Sequence, residues 1–184
     1  ALLALLIPGS DPVRRVRIVP RGQALGVTIQ APVNDRQNYP EDYLRGRITS
    51  ALGGRAAESV VYGVVTTGAE SDLQQVTRIA YEMVTRWGMS PKIGPVNLRS
   101  VDGGASIVSE RPYSEATAQI VDGEARRIID ECFANACSLL VEHRGQLDAL
   151  VQALLVEDTL DQRRILEVTG IPPAVTQREP AGVS

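Results

Sequence analysis

At 184 residues and 43% hydrophobic composition the chain is long enough to bury a core as one domain, which excludes the disordered and fibrous classes. Its net charge is −3, with acids and bases interspersed, so no basic face is available to a phosphate backbone and nucleic acid is not expected as a partner. Eighteen of the nineteen cations are scattered arginines and the other is Lys92, which marks no patch.

The chain opens with Ala1-Leu2-Leu3-Ala4-Leu5-Leu6-Ile7, stopped by Pro8-Gly9. This reads as the last turns of a helix that starts upstream, and it is far too short to span a bilayer. A hairpin follows: Val13, Val16, Ile18 and Val19 on one strand, turn chemistry at Pro20-Arg21-Gly22-Gln23, and a return along Leu25-Gly26-Val27-Thr28-Ile29. Two strands alone are marginal, so they are expected to lie on a helix or join a further strand. If one strand is left at an edge, Gly26, Val27 and Thr28 could pair with an extended peptide; an edge with a purely structural role is the commoner case.

A polar connector over 34–40 leads to one helix from about Pro40 to Tyr62, marked by Leu44, Ile48, Ala51, Leu52 and Val60. Gly53-Gly54 weakens it and, with Ala56-Ala57, suggests close approach of another backbone. Glu58 lies on the same helix, either solvated or, if this helix packs on the next, a carboxylate behind a metal ligand. Thr67 and Glu70 stand in capping-box spacing and start a second helix, with Leu73, Val76, Ala80, Met83, Val84 and Trp87 as its apolar stripe and Gly88 as its stop. Asp72 lies beside that stripe in the first turns, where it either complements the helix dipole or ligates a metal.

Glycines, prolines and weak periodicity make 88–112 a long loop. Beyond it, Ile120, Val121, Ala125, Ile128, Cys132, Ala136, Leu139 and Leu140 form a helix of about seven turns. After a break at Arg144-Gly145, Leu147, Leu150, Val151, Leu154 and Leu155 form its antiparallel neighbour. Thr159 and Gln162 are expected to cap a short third helix that Gly170 and Pro172-Pro173 close. Cys132 and Cys137 fall on different faces as reduced thiols. The lone histidine, His143, is a helix-end residue, and with it alone no His-rich cage or Ser-His-Asp set can be built. The expected fold is mainly α: a core over 1–112 with a small antiparallel β-hairpin or sheet, a helical subdomain over 113–170, and a disordered tail over 171–184.

Several blocks, in order and in spacing, resemble the peptidase domain of FtsH-type AAA+ zinc proteases. They are V-R-I-V-P-R-G-Q-A-L-G-V-T at 16–28, Leu52-Gly53-Gly54-Arg55-Ala56-Ala57-Glu58, Thr67-Gly68-Ala69-Glu70-Ser71-Asp72-Leu73 and Met83-Val84-Thr85-Arg86-Trp87-Gly88-Met89-Ser90. Tyr113 to Thr117, Arg126 to Ile129 and Glu157 to Asp161 extend the resemblance to about residue 168. In that family a His-Glu-x-x-His helix supplies two zinc ligands and a general base, and the aspartate at the position of Asp72 supplies the third ligand, leaving one position for the water that attacks a peptide carbonyl.

This chain contains no His-Glu-x-x-His, and the second histidine of the motif would fall directly before Ala1. By itself it is therefore expected neither to hold catalytic zinc nor to cleave peptides, because one carboxylate is not a zinc site. Ser71 also departs from the asparagine usual before the aspartate. The resemblance implies a membrane-anchored, ATP-dependent zinc metalloendopeptidase that degrades unfolded or damaged membrane and cytosolic polypeptides. It implies a homo-hexamer, with ATP used by an upstream AAA+ module and the membrane reached only through upstream segments. The expected home is the bacterial inner membrane, with this domain on the cytoplasmic side; a mitochondrial or plastid membrane is the alternative. The competing reading is a catalytically inactive relative that serves as an oligomerisation scaffold or holds substrate; an unrelated helical interaction module is a third.

Overall fold

In the computed structural model, residues 1–18, 27–30, 38–98 and 113–172 are described. The apolar opening is helix α1 (Leu2–Leu6), with Leu2, Leu3 and Ala4 buried. Strands β1 (Val13–Arg17) and β2 (Val27–Gln30) pair antiparallel, Val16 opposite Thr28 and Arg17 opposite Val27. Their connection, Gly26 included, lies outside the described residues. Val13 and Val16 are buried although three apart, whereas a regular strand alternates every second residue. A register shift between Val13 and Arg15 resolves this, turning both valines inward and leaving Arg14 and Arg15 exposed.

The expected single helix over 40–62 is two. Helix α2 (Glu41–Ala51) ends at Leu52 (ψ −5°), and α3 (Gly53–Tyr62) starts immediately. A Cβ built on Gly53 would lie 3.0 Å from Leu3 Cδ1, so the close neighbour is the α1 side chain rather than a backbone, and Gly54 faces open space. A 3-10 turn (Thr67–Ala69) leads into α4 (Glu70–Thr85). The buried face of α4 is Val76, Ile79, Ala80, Met83 and Val84. Two residues expected in its stripe are not core: Leu73 and Trp87 are each 38% exposed, at the two ends of the helix where neighbouring elements no longer cover it. Gly88 (φ +63°) follows the helix as its stop.

Helix α5 (Glu115–Glu142), capped by Ser114 Oγ on the Thr117 N–H, is the spine of the molecule. Its first half packs Val121, Ala125, Ile128 and Cys132 against α2 and α4. Its second half packs Ala136 and Leu140 into another core with α1, Val13 and Val16 of β1, and Ala56 of α3. Helix α6 (Arg144–Glu157) adds Leu150 and Leu154 there. The α5–α6 break falls at His143, and Gly145 is helical.

Residues 159–161 correct another expectation. Instead of a helix cap they form strand β3 (Thr159–Asp161), which pairs antiparallel with β1 and gives a sheet of order β2-β1-β3. The added strand supplies what a bare hairpin lacked, and it places Leu160 fully buried in the second core. Asp161, not Thr159, caps helix α7 (Gln162–Thr169), its Oδ1 accepting from the Arg164 N–H at 2.9 Å. Asp161→Ala is expected to lower stability by about 1 kcal/mol, read by urea denaturation; an unchanged midpoint would show the cap to be idle. The architecture is the mainly α fold with a small antiparallel sheet that the sequence implies. Among the described residues no helix is long and apolar enough to cross a membrane. The expected tail lies almost wholly outside the described residues, which end at Pro172.

Candidate metal centre

Asp72 is the third residue of α4, half-buried and within the turn where the helix dipole favours negative charge. Burial pushes its carboxyl above the ordinary carboxylate range, and the positive Ala1 nitrogen partly offsets this. Burial lowers the Ala1 amino group, and Asp72 in turn raises it.

The turn ahead of Asp72 is built differently from the expected capping box. Thr66, not Thr67, is the cap: its Oγ1 accepts from the Gly68 N–H at 3.2 Å. Glu70 turns outward, its Oε1 accepting from Gln74 Nε2 at 3.4 Å, instead of reaching back to the turn. What replaces it comes from α3. The Thr66 hydroxyl donates to Glu58 Oε1 at 2.7 Å, and the Thr66 N–H donates to Glu58 Oε2 at 3.1 Å. Arg55 Nη1 donates to the Thr66 carbonyl at 3.2 Å. The hydrogen bonds from Thr66 hold the Glu58 carboxyl below its ordinary value. Glu58 thus sits behind the start of the Asp72 helix through Thr66, while α3 itself packs chiefly along α5. Arg55 and Thr66 were not singled out from the sequence; the Arg-x-x-Glu spacing, which puts both side chains on one helix face, was the available signal.

The other candidates fall elsewhere. Val27 and Thr28 lie on β2, which has β1 on one side and, among the described residues, no strand on the other. His143 is at the α5–α6 junction. Among the described residues no group of three or more His, Cys, Asp and Glu side chains could hold a metal ion. The donor set present, one carboxylate, does not make a zinc site, although a half-buried Asp at a helix start suits one position of a site completed from elsewhere.

A second polar constellation ties down the segment after α4. Glu124 of α5 is 0% exposed. Its Oε1 accepts from Arg127 Nε and Lys92 Nζ, both at 3.1 Å, and its Oε2 from Ser90 Oγ at 2.8 Å and Arg127 Nη2 at 3.0 Å. Arg127 continues to Glu131 at 2.7 Å, Glu131 to Arg45 at 2.9 Å, and Arg45 to Glu41 at 2.8 Å. The chain of charges joins the 90–92 segment to α5 and α2.

Residues 1–168 match the family described as Peptidase family M41. An ATP-dependent zinc metalloprotease FtsH of Thermobaculum terrenum is 58% identical, over 98% of this chain and 28% of the relative. A protein of the same name from Syntrophus aciditrophicus is 52% identical over 95% of this chain and 24% of its own length. ATP-dependent zinc metalloprotease FtsH 3 of Conexibacter woesei is 51% identical over 93% and 23%. The chain spans about a quarter of the length of these curated relatives. With nearly its whole length matched by one peptidase family, and with relatives of that type identical at half or more of the aligned positions, the chain belongs to peptidase family M41.

Proposed function

We propose that this chain is the peptidase-domain portion of a membrane-anchored, ATP-dependent zinc metalloendopeptidase in which Asp72 provides one of three protein ligands. The observation that carries the reading is the match of residues 1–168 to Peptidase family M41, with Asp72 half-buried at the start of α4. Bound zinc supplies Lewis-acid activation of water and of a peptide carbonyl. This chain's own part is to present a carboxylate oxygen from a fixed helix start, with Glu58 holding that start through Thr66. Among the described residues β2 has no strand on its outer side, and the backbone N–H and C=O of one of the neighbours Val27 and Thr28 face outward there to pair with an extended polypeptide substrate.

The same reading carries a homo-hexamer fed by an ATPase module, unfolded or damaged membrane and cytosolic proteins as substrates, and a bacterial inner membrane with the domain on its cytoplasmic face. Mitochondrial and plastid membranes are the alternative homes. The test is zinc content and casein cleavage by the protein carrying a His-Glu-x-x-His helix upstream of Ala1, beside the same protein with Asp72→Ala. Near-stoichiometric zinc and proteolysis are expected in the parent, with cleavage down at least a hundredfold and zinc lost in the variant. A folded parent that holds no zinc would overturn the reading and favour an inactive scaffold.

A further inference from the structure

The segment between α3 and the Asp72 helix has little apolar anchorage of its own. Tyr62, Val64 and Val65 are 75%, 54% and 57% exposed, and Gly63 (φ +65°) has open space around it. Ala69, 6% exposed, is the first residue after α3's last turn to enter the interior. Between them the chain is fastened at Thr66, and both fasteners come from one turn of α3. Arg55 takes the Thr66 carbonyl; Glu58 takes its N–H and hydroxyl. The Thr66 backbone is therefore gripped from both its donor and its acceptor side, while Oγ1 passes the grip forward to the Gly68 N–H. Gly68 lies against the same groups: a Cβ on it would make ordinary contacts with Thr66 Oγ1 at 3.4 Å and Glu58 Oε1 at 3.9 Å. The 3-10 turn that Thr66 caps runs directly into Glu70 and Asp72.

We infer that Arg55 is a positioning residue: with Glu58 it fixes Thr66, and through the capped turn it sets the axial position and orientation of the α4 start, so that Asp72 meets a metal without first being ordered. The inference rests on the metallopeptidase reading above and adds Arg55 and Thr66 to it. A carboxylate on a loose helix end must lose conformational freedom on ligation, and that cost appears directly in affinity. Arg55 does this work through geometry alone, since its contact is with a backbone carbonyl six residues from Asp72.

The test uses the protein with its upstream His-Glu-x-x-His helix and compares parent, Arg55→Ala, Thr66→Val and Thr66→Ser. Zinc affinity is measured by chelator competition, and hydrogen exchange of the Gly68 to Leu73 amides is measured on the metal-free forms. Arg55→Ala and Thr66→Val are expected to weaken zinc binding by about 10-fold to 100-fold and to speed exchange at these amides selectively. Thr66→Ser, which keeps the hydroxyl, restores both to near parent values. Parent-like zinc affinity and exchange in Arg55→Ala and Thr66→Val would overturn the inference while leaving the peptidase reading intact. So would exchange that rises uniformly over the whole chain, which marks general destabilisation. A parent that binds no zinc removes the peptidase reading, and with it the inference.

Discussion

Glu124→Ala is expected to lower the stability of this chain by about 2–3 kcal/mol, a fall in melting temperature on the order of 5–10 °C. The reason is asymmetric satisfaction. Each oxygen of the fully buried carboxylate accepts two hydrogen bonds, and its partners sit on three separated positions, Ser90, Lys92 and Arg127. Removing it leaves Ser90, itself 3% exposed, without an acceptor for its hydroxyl and leaves the Arg127 guanidinium with Glu131 alone. The buried Ser90 hydroxyl loses its acceptor and the space of the carboxylate is left unfilled, whereas Lys92 and Arg127, 66% and 33% exposed, regain part of their hydration. Calorimetry of the variant decides the matter: a melting temperature within 2 °C of the parent would show that the constellation is incidental.

The same carboxylate sets an acid limit. Arg127 first, against the opposing effect of burial, and then Ser90 and Lys92 bring the Glu124 carboxyl from its ordinary 4.5 down to about 2. A folded value below the unfolded one means that the stabilisation is complete above pH 4.5 and is lost as pH falls from 4.5 through about 2. Glu131, held low by Arg127 and Arg45, adds to the loss in the same direction. Lys92 is 66% exposed and Arg127 33%, so solvent damps the full linkage value, leaving about 2–3 kcal/mol for Glu124. Glu124→Gln should therefore flatten the acid limb of stability against pH; a limb as steep as the parent's would place the sensitivity elsewhere.

Where the sequence was legible, the signal was periodic and local. The apolar spacing of Val76, Ala80, Met83 and Val84 places α4, and that of Val121, Ala125, Ile128, Cys132 and Ala136 places α5, because a helix long enough to span a core must repeat its buried residues. Asp72 was legible as a carboxylate at a helix start. The illegible parts are those decided across the fold. Thr66 and Thr67 are adjacent, and local spacing favours Thr67; the choice of Thr66 is made by Arg55 and Glu58 on another helix. Strand β3 is three residues long and means nothing until it meets β1, more than 140 residues earlier. The break at Leu52 falls just before Gly53, where Leu3 of α1 comes close, a contact that local periodicity does not announce. Glu124 was not singled out in the sequence, because what marks it, the bonds from Ser90 and Lys92 of the segment after α4, is made across the fold.

That segment supplies the second large effect, at Gly88. Gly88→Ala is expected to cost about 2–4 kcal/mol, read from the urea midpoint, as the sum of two separable terms. The first is conformational: at φ +63° a Cβ crowds the following carbonyl, at about 1–2 kcal/mol. The second is contact: that Cβ would lie 2.9 Å from Pro95 Cα, 3.2 Å from the Gly94 carbonyl oxygen and 3.3 Å from Pro95 C. All three are backbone atoms and cannot rotate away. The Leu98 N–H bond to the Thr85 carbonyl at 2.7 Å and the Met89 N–H bond to the Met83 carbonyl at 2.9 Å hold both sides of the approach, so relief requires giving up bonds that close the end of α4. Gly94→Ala is the control. Gly94 has φ +81°, but a Cβ there meets nothing within 4 Å, so only the conformational cost of about 1–2 kcal/mol applies. A larger loss at Gly88 than at Gly94 measures the Pro95 contact; equal losses would mean that 88–98 shifts freely, and Ser90 and Lys92 would then be unable to hold Glu124 in fixed geometry.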